Sequence, residues 1–332
     1  MTTTPRSSYR VPPPVADALV RWPDDFGRRF VLFVDVEEEF DWSRPLDRTA
    51  RSVSAMKALP AAHRRFAEAG AGLACMVDHP VAADPEAVEL LRRILADPAC
   101  SLGAQLHPWV TPPFVAPTVG DSFAGTLPRH VEAAKIDAIT TLLYDGLARR
   151  PIAYRAGRYG IGPNTLSLLA ERGYRIDTSV RARYDYSSLG GPNFSALGND
   201  AFRRDGMIEL PLTTVFTGGL RRWGPWLHVA AGGLPLLPAM LARVRLLERI
   251  ALTPEDMPIR AARDAVSIAL DSGIPLLAFS FHSPSLVPGH TPYVRDTADL
   301  RRFWRWWDDM LSHLARLGVT SVTLDEIVAV AG

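Results

Sequence analysis

Seven short apolar runs recur along the chain, and each is followed or closed by a polar side chain. The runs are rich in β-branched and aromatic residues, as buried parallel strands are. They span residues 30–36, 73–77, 102–106, 152–154, 174–176, 207–210 and 276–281. The polar groups at their ends are Asp35 with Glu37, His79, His107, Arg155, Asp177, Glu209 and His282. Because the carboxyl ends of parallel strands share one rim, the pattern predicts that these distant residues meet in one pocket.

Helix-like segments separate these runs. They are predicted over residues 54–69, from 84 onward, 127–149, 162–173, 236–252, 258–270, from a cap at 296 or 297 onward, and 325–330, with a short strand over 319–323. Asp84-Pro85-Glu86 begins one helix with a capping residue, a proline in the first turn and an early acid. Residues 179–206 are rich in Gly, Ser, Asn, Asp and Tyr, a composition that predicts a long loop.

The alternation of strands and helices sets the fold class. Such units pair their strands in parallel through right-handed crossovers. We therefore expect an α/β fold, a distorted or incomplete (β/α) barrel with seven to eight parallel strands. We expect residues 28–332 to form this barrel as one domain, and residues 1–27 to form a flexible, proline-rich lead.

Charge and composition exclude several classes of partner. The formal net charge of the 332 residues is +1, which gives no reason to expect nucleic acid or an anionic membrane surface. Two cysteines, Cys75 and Cys100, do not make a disulfide framework. The first residues lack the apolar stretch of a signal peptide, so the expected location is the cytoplasm. The sequence does not indicate an oligomeric state.

One uncharged stretch, Trp226 to Ala242, bears on membrane contact. It is slightly short for a bilayer span, and glycines and prolines interrupt it, so no stable membrane insertion is expected. A loop leading into a buried helix and a contact with a membrane surface both stay open as interpretations.

Asp35 and Glu37 are the first candidate pair. Residues two apart at a strand end point the same way, so both carboxylates can share a cavity, one as a base and one as a metal ligand. The alternative is a solvated acidic loop, because Glu38, Glu39 and Asp41 follow directly.

Three further strand ends carry candidate groups. His107 could bind a divalent ion beside Glu37, and His79, at the neighbouring strand end, could join it. Arg155 could pair with Asp35 and orient its carboxylate. His282 is placed to act as a general acid or base. The alternatives are histidines in capping or turn positions and a structural arginine.

Aromatic residues on the predicted rim loops suggest carbohydrate. Trp42, Trp109 and Tyr159 are candidates for stacking against a sugar ring, because apolar sugar faces lie against aromatic rings. Trp304, Trp306 and Trp307 follow helical spacing and are expected to pack in the core.

At these residues the chain resembles the polysaccharide deacetylase superfamily, the NodB-homology domain of carbohydrate esterase family four. It is most similar to the WalW-like branch, whose first motif is DVE. The segments that carry the resemblance, from about Phe30 to Val328, are FVDVEEEF, LGAQLHPW, YRAGRYG, YRIDTS and FSFHSPS. The resemblance implies Asp35 as catalytic base, Arg155 as its partner, His282 as catalytic acid and Glu37 as a metal ligand.

The second motif departs from the usual pattern of this superfamily. Two histidines four apart would fall on Gln105 and Trp109, and only His107 is present. The resemblance implies a divalent metal, with zinc the expected ion, held by Glu37 and His107. His79 could complete the set, or the site could be metal-free.

The sequence thus leads to three hypotheses. The first is a hydrolase that removes an acyl group, by expectation acetyl, from nitrogen on a carbohydrate or sugar-like amide, with a metal-activated water. The second is a carbohydrate-binding or regulatory protein on a degenerate deacetylase scaffold. The third is a glycoside hydrolase with Glu37 and Glu209 as its carboxylate pair.

Overall fold

The strands and helices were taken from a computed structural model, which describes residues 8–114, 122–230, 237–244 and 246–331. The strands are β1 (Arg29–Val36), β2 (Ala74–Val77), β3 (Ser101–Leu106), β4 (Ala153–Ala156), β5 (Ile176–Asp177), β6 (Phe202–Arg204), β7 (Met207–Glu209), β8 (Thr214–Thr217), β9 (Glu248–Ala251), β10 (Leu276–His282) and β11 (Thr320–Ser321). The helices are α1 (Leu59–Glu68), α2 (His79–Ala83), α3 (Pro85–Leu95), α4 (Arg129–Leu147), α5 (Thr165–Ala170), α6 (Gly224–Ala230), α7 (Leu237–Arg243), α8 (Ile259–Asp271), α9 (Thr297–Arg316) and α10 (Leu324–Ala331).

One curled sheet organises the molecule. Its strands follow the order β10-β1-β2-β3-β4-β5-β7-β6, and β11 pairs with the start of β1. Every pairing is parallel except that of β6 with β7. The segment that follows β7 reaches across to the β10 margin, where the Thr213 N–H donates to the Ala278 carbonyl. The predicted distorted (β/α) barrel is confirmed.

The alternation along β1 decides what faces the interior of the barrel. Leu32 and Val34 pack outward in the large core beneath the helices. Val31 and Phe33 point the other way, into a smaller core that fills the barrel. Because side chains alternate along a strand, Asp35 continues this inner column at its upper end. The fold therefore brings a carboxylate to the top of an apolar column.

The segment after α6 differs from its prediction. We expected a helix over 236–252, but α7 ends at Arg243 and residues 248–251 form β9. β9 pairs antiparallel with β8, which the sequence pattern did not predict. β9 is Glu-Arg-Ile-Ala, a segment too short and too mixed in polarity for its pattern to distinguish a strand from a helix, and here the pairing with β8 makes it a strand. A short strand, β6, also lies inside the predicted loop.

The uncharged stretch is partly exposed where its side chains are described. Trp226 on α6 is 68% exposed and Met240 on α7 is 63% exposed, whereas Leu241 and Ala242 are partly buried. The interpretation of a buried helix therefore does not hold at Trp226 and Met240. Residues 231–236 of the stretch lie outside the described residues. Among the described helices, none has the length and apolar character needed to cross a bilayer.

Part of the predicted lead contacts the sheet. From Ser8 onward, Val11 is buried and its N–H donates to the Asn193 carbonyl. The Val20 N–H donates to the Ala201 carbonyl, next to β6. These bonds lay the described part of the lead along the β6 margin.

Candidate active site

A cavity of about 720 Å³ opens at the carboxyl ends of the parallel strands. Its lining includes six of the polar groups under discussion: Asp35, Glu37, Gln105, His107, Arg155 and His282. They come from β1, β3, β4 and β10 or the residues directly after them. The register explains their convergence, since Asp35 lies opposite His282 and Gln105 lies opposite Arg155.

Asp35 is held by Arg155. The Nη1 group of Arg155 donates to Asp35 Oδ1, and its Nη2 group donates to Thr178 Oγ1 at 3.2 Å. Both charged side chains are buried, and the guanidinium carbon lies 4.7 Å from the ring centre of Phe33. The other oxygen, Asp35 Oδ2, lies 3.7 Å from Nε2 of His282. Arg155 thus fixes one oxygen of the carboxylate, and the second faces the imidazole.

His282 is fixed from behind by Glu255. Its Nδ1 lies 2.7 Å from Glu255 Oε2, and its backbone N–H donates to Glu255 Oε1 at 3.1 Å. The Ser285 hydroxyl donates to Glu255 Oε1 at 2.6 Å. Burial opposes a charged imidazole, but the surrounding carboxylates, Glu255 first, outweigh burial and raise the pKa of His282 to about 10. His282 is therefore a protonated group at neutral pH with Nε2–H directed at Asp35.

Glu37, Gln105 and His107 form a second cluster beside this pair. The Gln105 amide nitrogen donates to Glu37 Oε2 at 3.0 Å and lies 3.1 Å from Nε2 of His107. Glu37 Oε2 and His107 Nε2 are 3.5 Å apart. Burial raises the pKa of Glu37 to about 8, although the charges of His282 and His107 oppose the shift. The amide N–H groups of Gln105 thus satisfy both acceptor atoms, Oε2 of Glu37 and Nε2 of His107.

Glu38 and Asp78 hold His107 in its orientation. Nδ1 of His107 lies 2.7 Å from Glu38 Oε2, and Nε1–H of Trp109 donates to Glu38 Oε1 at 2.8 Å. The Glu38 backbone N–H donates to Asp78 Oδ2 at 2.8 Å. Burial and the charge of Glu38 raise the pKa of Asp78 well above its usual range. Glu38 therefore accepts from both rings, and Nε2 of His107 is left to face the cavity.

Lys135 fixes the loop that follows β3. From α4, its Nζ donates to the carbonyls of Pro108 at 2.9 Å, Thr111 at 2.5 Å and Pro113 at 2.9 Å. The loop carries Trp109, whose ring stacks on His107 with 4.4 Å between the ring centres. A buried ammonium therefore ties the position of the imidazole to a long helix.

The donor set at Glu37 and His107 fits a divalent cation. An imidazole whose Nδ1 is engaged by a carboxylate and whose Nε2 faces a second carboxylate is arranged as a metal-binding histidine is. Glu37 Oε1 is buried without a hydrogen-bond partner among the described residues. Possible ligand atoms of Asp35, Glu37 and His282 lie within 4.8 Å of one another. Gln105 does not fit the pattern of a metal site, because its amide N–H groups occupy the position where a cation would contact Glu37 and His107.

The structure does not bring every predicted residue into the cavity. His79 begins α2, after the capping residue Asp78, and it is not among the residues that line the cavity. Burial lowers the pKa of His79 to about 4, with the charges of Arg51 and Lys135 acting in the same direction. Glu209 also lies outside the cavity lining, buried on β7 near Asp177. Asp177 does not line the cavity either, and its Oδ1 accepts a hydrogen bond from the Ser179 hydroxyl.

Sequence reasoning missed Glu255 and the roles of Glu38 and Asp78. Glu255 follows β9, the strand that was predicted as a helix, so no strand end drew attention to it. Asp78 stands between the apolar run of β2 and His79-Pro80, where its capping role could have been anticipated. Glu38 was counted only as additional acid.

His79→Ala is expected to leave the affinity for zinc within about twofold of the wild type, because His79 does not line the cavity and substitutions away from a site have small effects. The measurement is competition with a chromophoric chelator, with the midpoint of thermal unfolding as a check on folding. A loss of bound metal in a stably folded variant would return His79 to the site.

Solved structures share this fold at low sequence identity. A candidate polysaccharide deacetylase from Mycobacterium smegmatis superposes with a TM-score of 0.52 at 13% identity, over 94% of this chain and 92% of that chain. A candidate glycoside hydrolase/deacetylase from Parabacteroides distasonis gives 0.57 at 11% identity, over 94% and 72%. A 4-alpha-glucanotransferase from Thermococcus litoralis gives 0.50 at 13% identity, over 91% of this chain and 40% of that chain.

These similarities concern the fold. A scan against models of protein families gives no match, and neither does a search of curated proteins. The resemblance to the polysaccharide deacetylase superfamily is confirmed at the level of the fold. The WalW-like branch stays a prediction. Because one of these neighbours is a glucanotransferase, the reaction has to be argued from the site.

Proposed function

We propose that this protein removes an acyl group, with acetyl the expected one, by hydrolysis from the nitrogen of a sugar or sugar-like amide. One observation carries the proposal: the free oxygen of Asp35 and Nε2 of His282 face each other across 3.7 Å at the base of the cavity. A base and a protonated acid are the two groups that hydrolysis of an amide requires. Arg155 and Glu255 hold them from behind.

The reaction follows from the roles of these two groups. Asp35 Oδ2 takes a proton from a water molecule, whose oxygen attacks the carbonyl carbon of the amide. His282 gives its Nε2 proton to the departing nitrogen as the carbon–nitrogen bond breaks. The products are a carboxylic acid and a free amine. Glu255 keeps the imidazole charged and directed at the leaving group until that transfer.

Glu37 and His107 would hold a divalent ion, with zinc the expected metal. When bound, the ion supplies Lewis acidity to the carbonyl and to the attacking water. Glu38 and Trp109 keep the imidazole turned toward it. Asp35 and His282 carry the proton transfers.

The aromatic lining supports a carbohydrate substrate. Trp42 and Tyr159 line the cavity, and the ring of Trp42 lies 5.2 Å from His282 between ring centres. Trp109 lines it as well, but its ring packs on His107 and its N–H is bound by Glu38. Trp42, 37% exposed, is better placed to stack on a sugar than Trp109, which is 7% exposed.

The direct test is acyl release. Purified protein is incubated with N-acetylated oligosaccharides, with and without added zinc, and acetate and free amine are quantified. We expect equal amounts of the two products and loss of turnover after treatment with a chelator. Full turnover in a dialysed sample with excess chelator would contradict the metal part alone. Absence of acetate from every N-acetylated substrate would contradict the proposal as a whole.

Gln105→His is expected to raise the affinity for zinc by at least about tenfold, because an imidazole adds a nitrogen ligand where the amide now donates hydrogen bonds. The measurement is competition with a chromophoric chelator, on dialysed protein at fixed pH. Gln105→Ala is the control, since it removes the amide and adds no ligand. A histidine variant that binds zinc no more tightly than the wild type and the alanine variant would contradict the assignment of Glu37 and His107.

A non-catalytic function is the second candidate, and Gln105 favours it. The site satisfies its two metal-facing atoms with a neutral amide, as a scaffold that has lost its metal would do. This candidate predicts saccharide binding without acetate release. Glu209 lies outside the cavity lining, which gives no support to a glycoside hydrolase that pairs it with Glu37.

A further inference from the structure

Two arginines outside the Asp35–His282 pair make part of the cavity lining basic. They are Arg158 and Arg181, and Tyr159, Tyr186 and Leu189 line the cavity with them. The acidic groups in the lining, Asp35, Glu37 and Glu255, are engaged at the base of the cavity. The distribution of charge thus leaves two guanidiniums in the lining that form no ion pair among the described residues.

Arg181 is held by tyrosines. Its guanidinium carbon lies 3.9 Å from the ring centre of Tyr184 and 5.4 Å from that of Tyr159. Its Nη1 donates to the Tyr186 hydroxyl at 3.2 Å. Within the described ranges, no carboxylate forms an ion pair with it. A planar guanidinium held in this way keeps donors free for an oxyanion.

Arg249 adds a second charge to the same aromatic stack. Its guanidinium carbon lies 3.5 Å from the ring centre of Tyr184, and its Nη1 donates to the Arg183 carbonyl at 3.0 Å. Burial, together with the nearby charge of Arg181, lowers the pKa of Arg249. Two arginines therefore share one tyrosine with no acid between them in the described part of the chain. A bound anion would relieve this repulsion.

Arg158 reaches the cavity through a strained loop. Arg158 and Tyr159 have φ of 56° and 60°, in the left-handed region that side chains other than glycine rarely adopt. Such strain costs energy and gathers at ligand-binding sites. The Arg158 guanidinium donates to the Ser122 hydroxyl and lies 4.3 Å from the ring centre of Phe123. Burial lowers its pKa.

We propose that Arg158 and Arg181 form a subsite for an oxyanion on the substrate, such as the phosphate of an acylated amino sugar. The proposal rests on the proposed function for the rest of the substrate. The acyl group would lie at Asp35 and His282, the sugar along Tyr159, and the phosphate between the two guanidiniums.

The test compares two ligands that differ in one phosphate. Binding of N-acetylglucosamine 1-phosphate and of N-acetylglucosamine is measured by calorimetry at constant ionic strength. We expect the phosphorylated sugar to bind at least about tenfold more tightly, since charge-assisted hydrogen bonds are the stronger class. Arg158→Gln and Arg181→Gln are each expected to remove most of that difference.

Arg129→Gln is the matched control. Arg129 is exposed on α4 and pairs with Glu171, away from the cavity, so its loss is expected to leave both affinities unchanged. Thermal unfolding of each variant shows whether it is folded, and Arg158, the more exposed of the pair, decides the case if Arg181→Gln unfolds.

Three results of the binding measurements overturn the subsite. The first is equal binding of the two sugars by the wild type. The second is an Arg158→Gln variant that keeps the wild-type difference in affinity between the two sugars. The third is inorganic phosphate that binds as tightly as the phosphorylated sugar, which would show an adventitious anion only. Acetate release is measured separately on both sugars. Release without a preference for the phosphorylated sugar leaves the hydrolase proposal standing and removes the subsite. Phosphate-dependent binding without acetate release leaves the subsite standing and contradicts the hydrolase proposal.

Discussion

Asp35→Asn is expected to lower kcat for acyl release by about three orders of magnitude or more, because general-base catalysis contributes about 10²–10⁴ and the amide cannot accept the proton of water. The substitution keeps the shape of the side chain, so the cavity and the hydrogen bond from Arg155 can persist. The measurement is kcat and KM for acetate release at saturating metal. KM is expected to change little, since Asp35 acts on water and not on the sugar.

The same substitution also tests the buried ion pair. Removing one charge leaves the Arg155 guanidinium buried without a counter-charge, and breaking such a pair costs about 3–5 kcal/mol. Turnover is therefore measured well below the unfolding midpoint of the variant. Asp41→Asn serves as the control, since Asp41 lies on the exposed loop after β1 and pairs locally with Ser43 and Arg44. A folded Asp35→Asn protein that keeps more than about a tenth of wild-type kcat would refute the role of Asp35 as the base.

Glu255→Gln is expected to move the alkaline limb of the pH profile to lower pH. Glu255 is the largest of the influences that raise the pKa of His282 to about 10, and its charge favours the protonated imidazole. Without that charge the pKa of His282 falls, so the imidazole loses its proton at a lower pH and cannot protonate the leaving amine. We expect the limb in kcat/KM to shift by more than about one pH unit and kcat at high pH to fall by about tenfold or more.

The pH profile separates this effect from simple damage to the fold. A structural defect would lower activity at every pH, whereas loss of the charge moves the limb and spares activity on its acidic side. Glu248→Gln is the control, because Glu248 lies at the far end of β9 and forms no ion pair within the described residues. Glu255→Asp should recover part of the shift, since it restores the charge on a shorter side chain. An alkaline limb that stays in place in Glu255→Gln would remove Glu255 from the mechanism.

The barrel could be predicted from the sequence because its two longest strands are apolar runs whose polar residues stand at their ends. These strands are β1 and β10, and their ends supply Asp35 and His282. Arg155 and His107 were found by the same rule on shorter strands. The convergence of these four residues follows from topology, since every strand that carries them runs in the same direction.

The parts that were missed depend on contacts between distant segments. β9 pairs with β8, and four residues of mixed polarity do not show from sequence which strand they will pair with. Glu255 was lost with that strand. The position of Gln105 between Glu37 and His107 could not be read from motif spacing either, because it depends on how far apart β1 and β3 hold their side chains. Local patterns therefore predicted the strands, and tertiary packing supplied the supporting groups.

The sheet order also constrains how the protein can be made. Asp35 on β1 and His282 on β10 lie side by side in the sheet, but they are far apart in the chain. β1 is therefore synthesised well before β10. Until β10 emerges, β1 carries an open hydrogen-bonding edge rich in valine and phenylalanine, which is a template for pairing with other chains. A nascent chain that stalls between α8 and β10 would thus expose the unpaired apolar edge of β1, and we expect chaperones to bind the growing polypeptide over that interval.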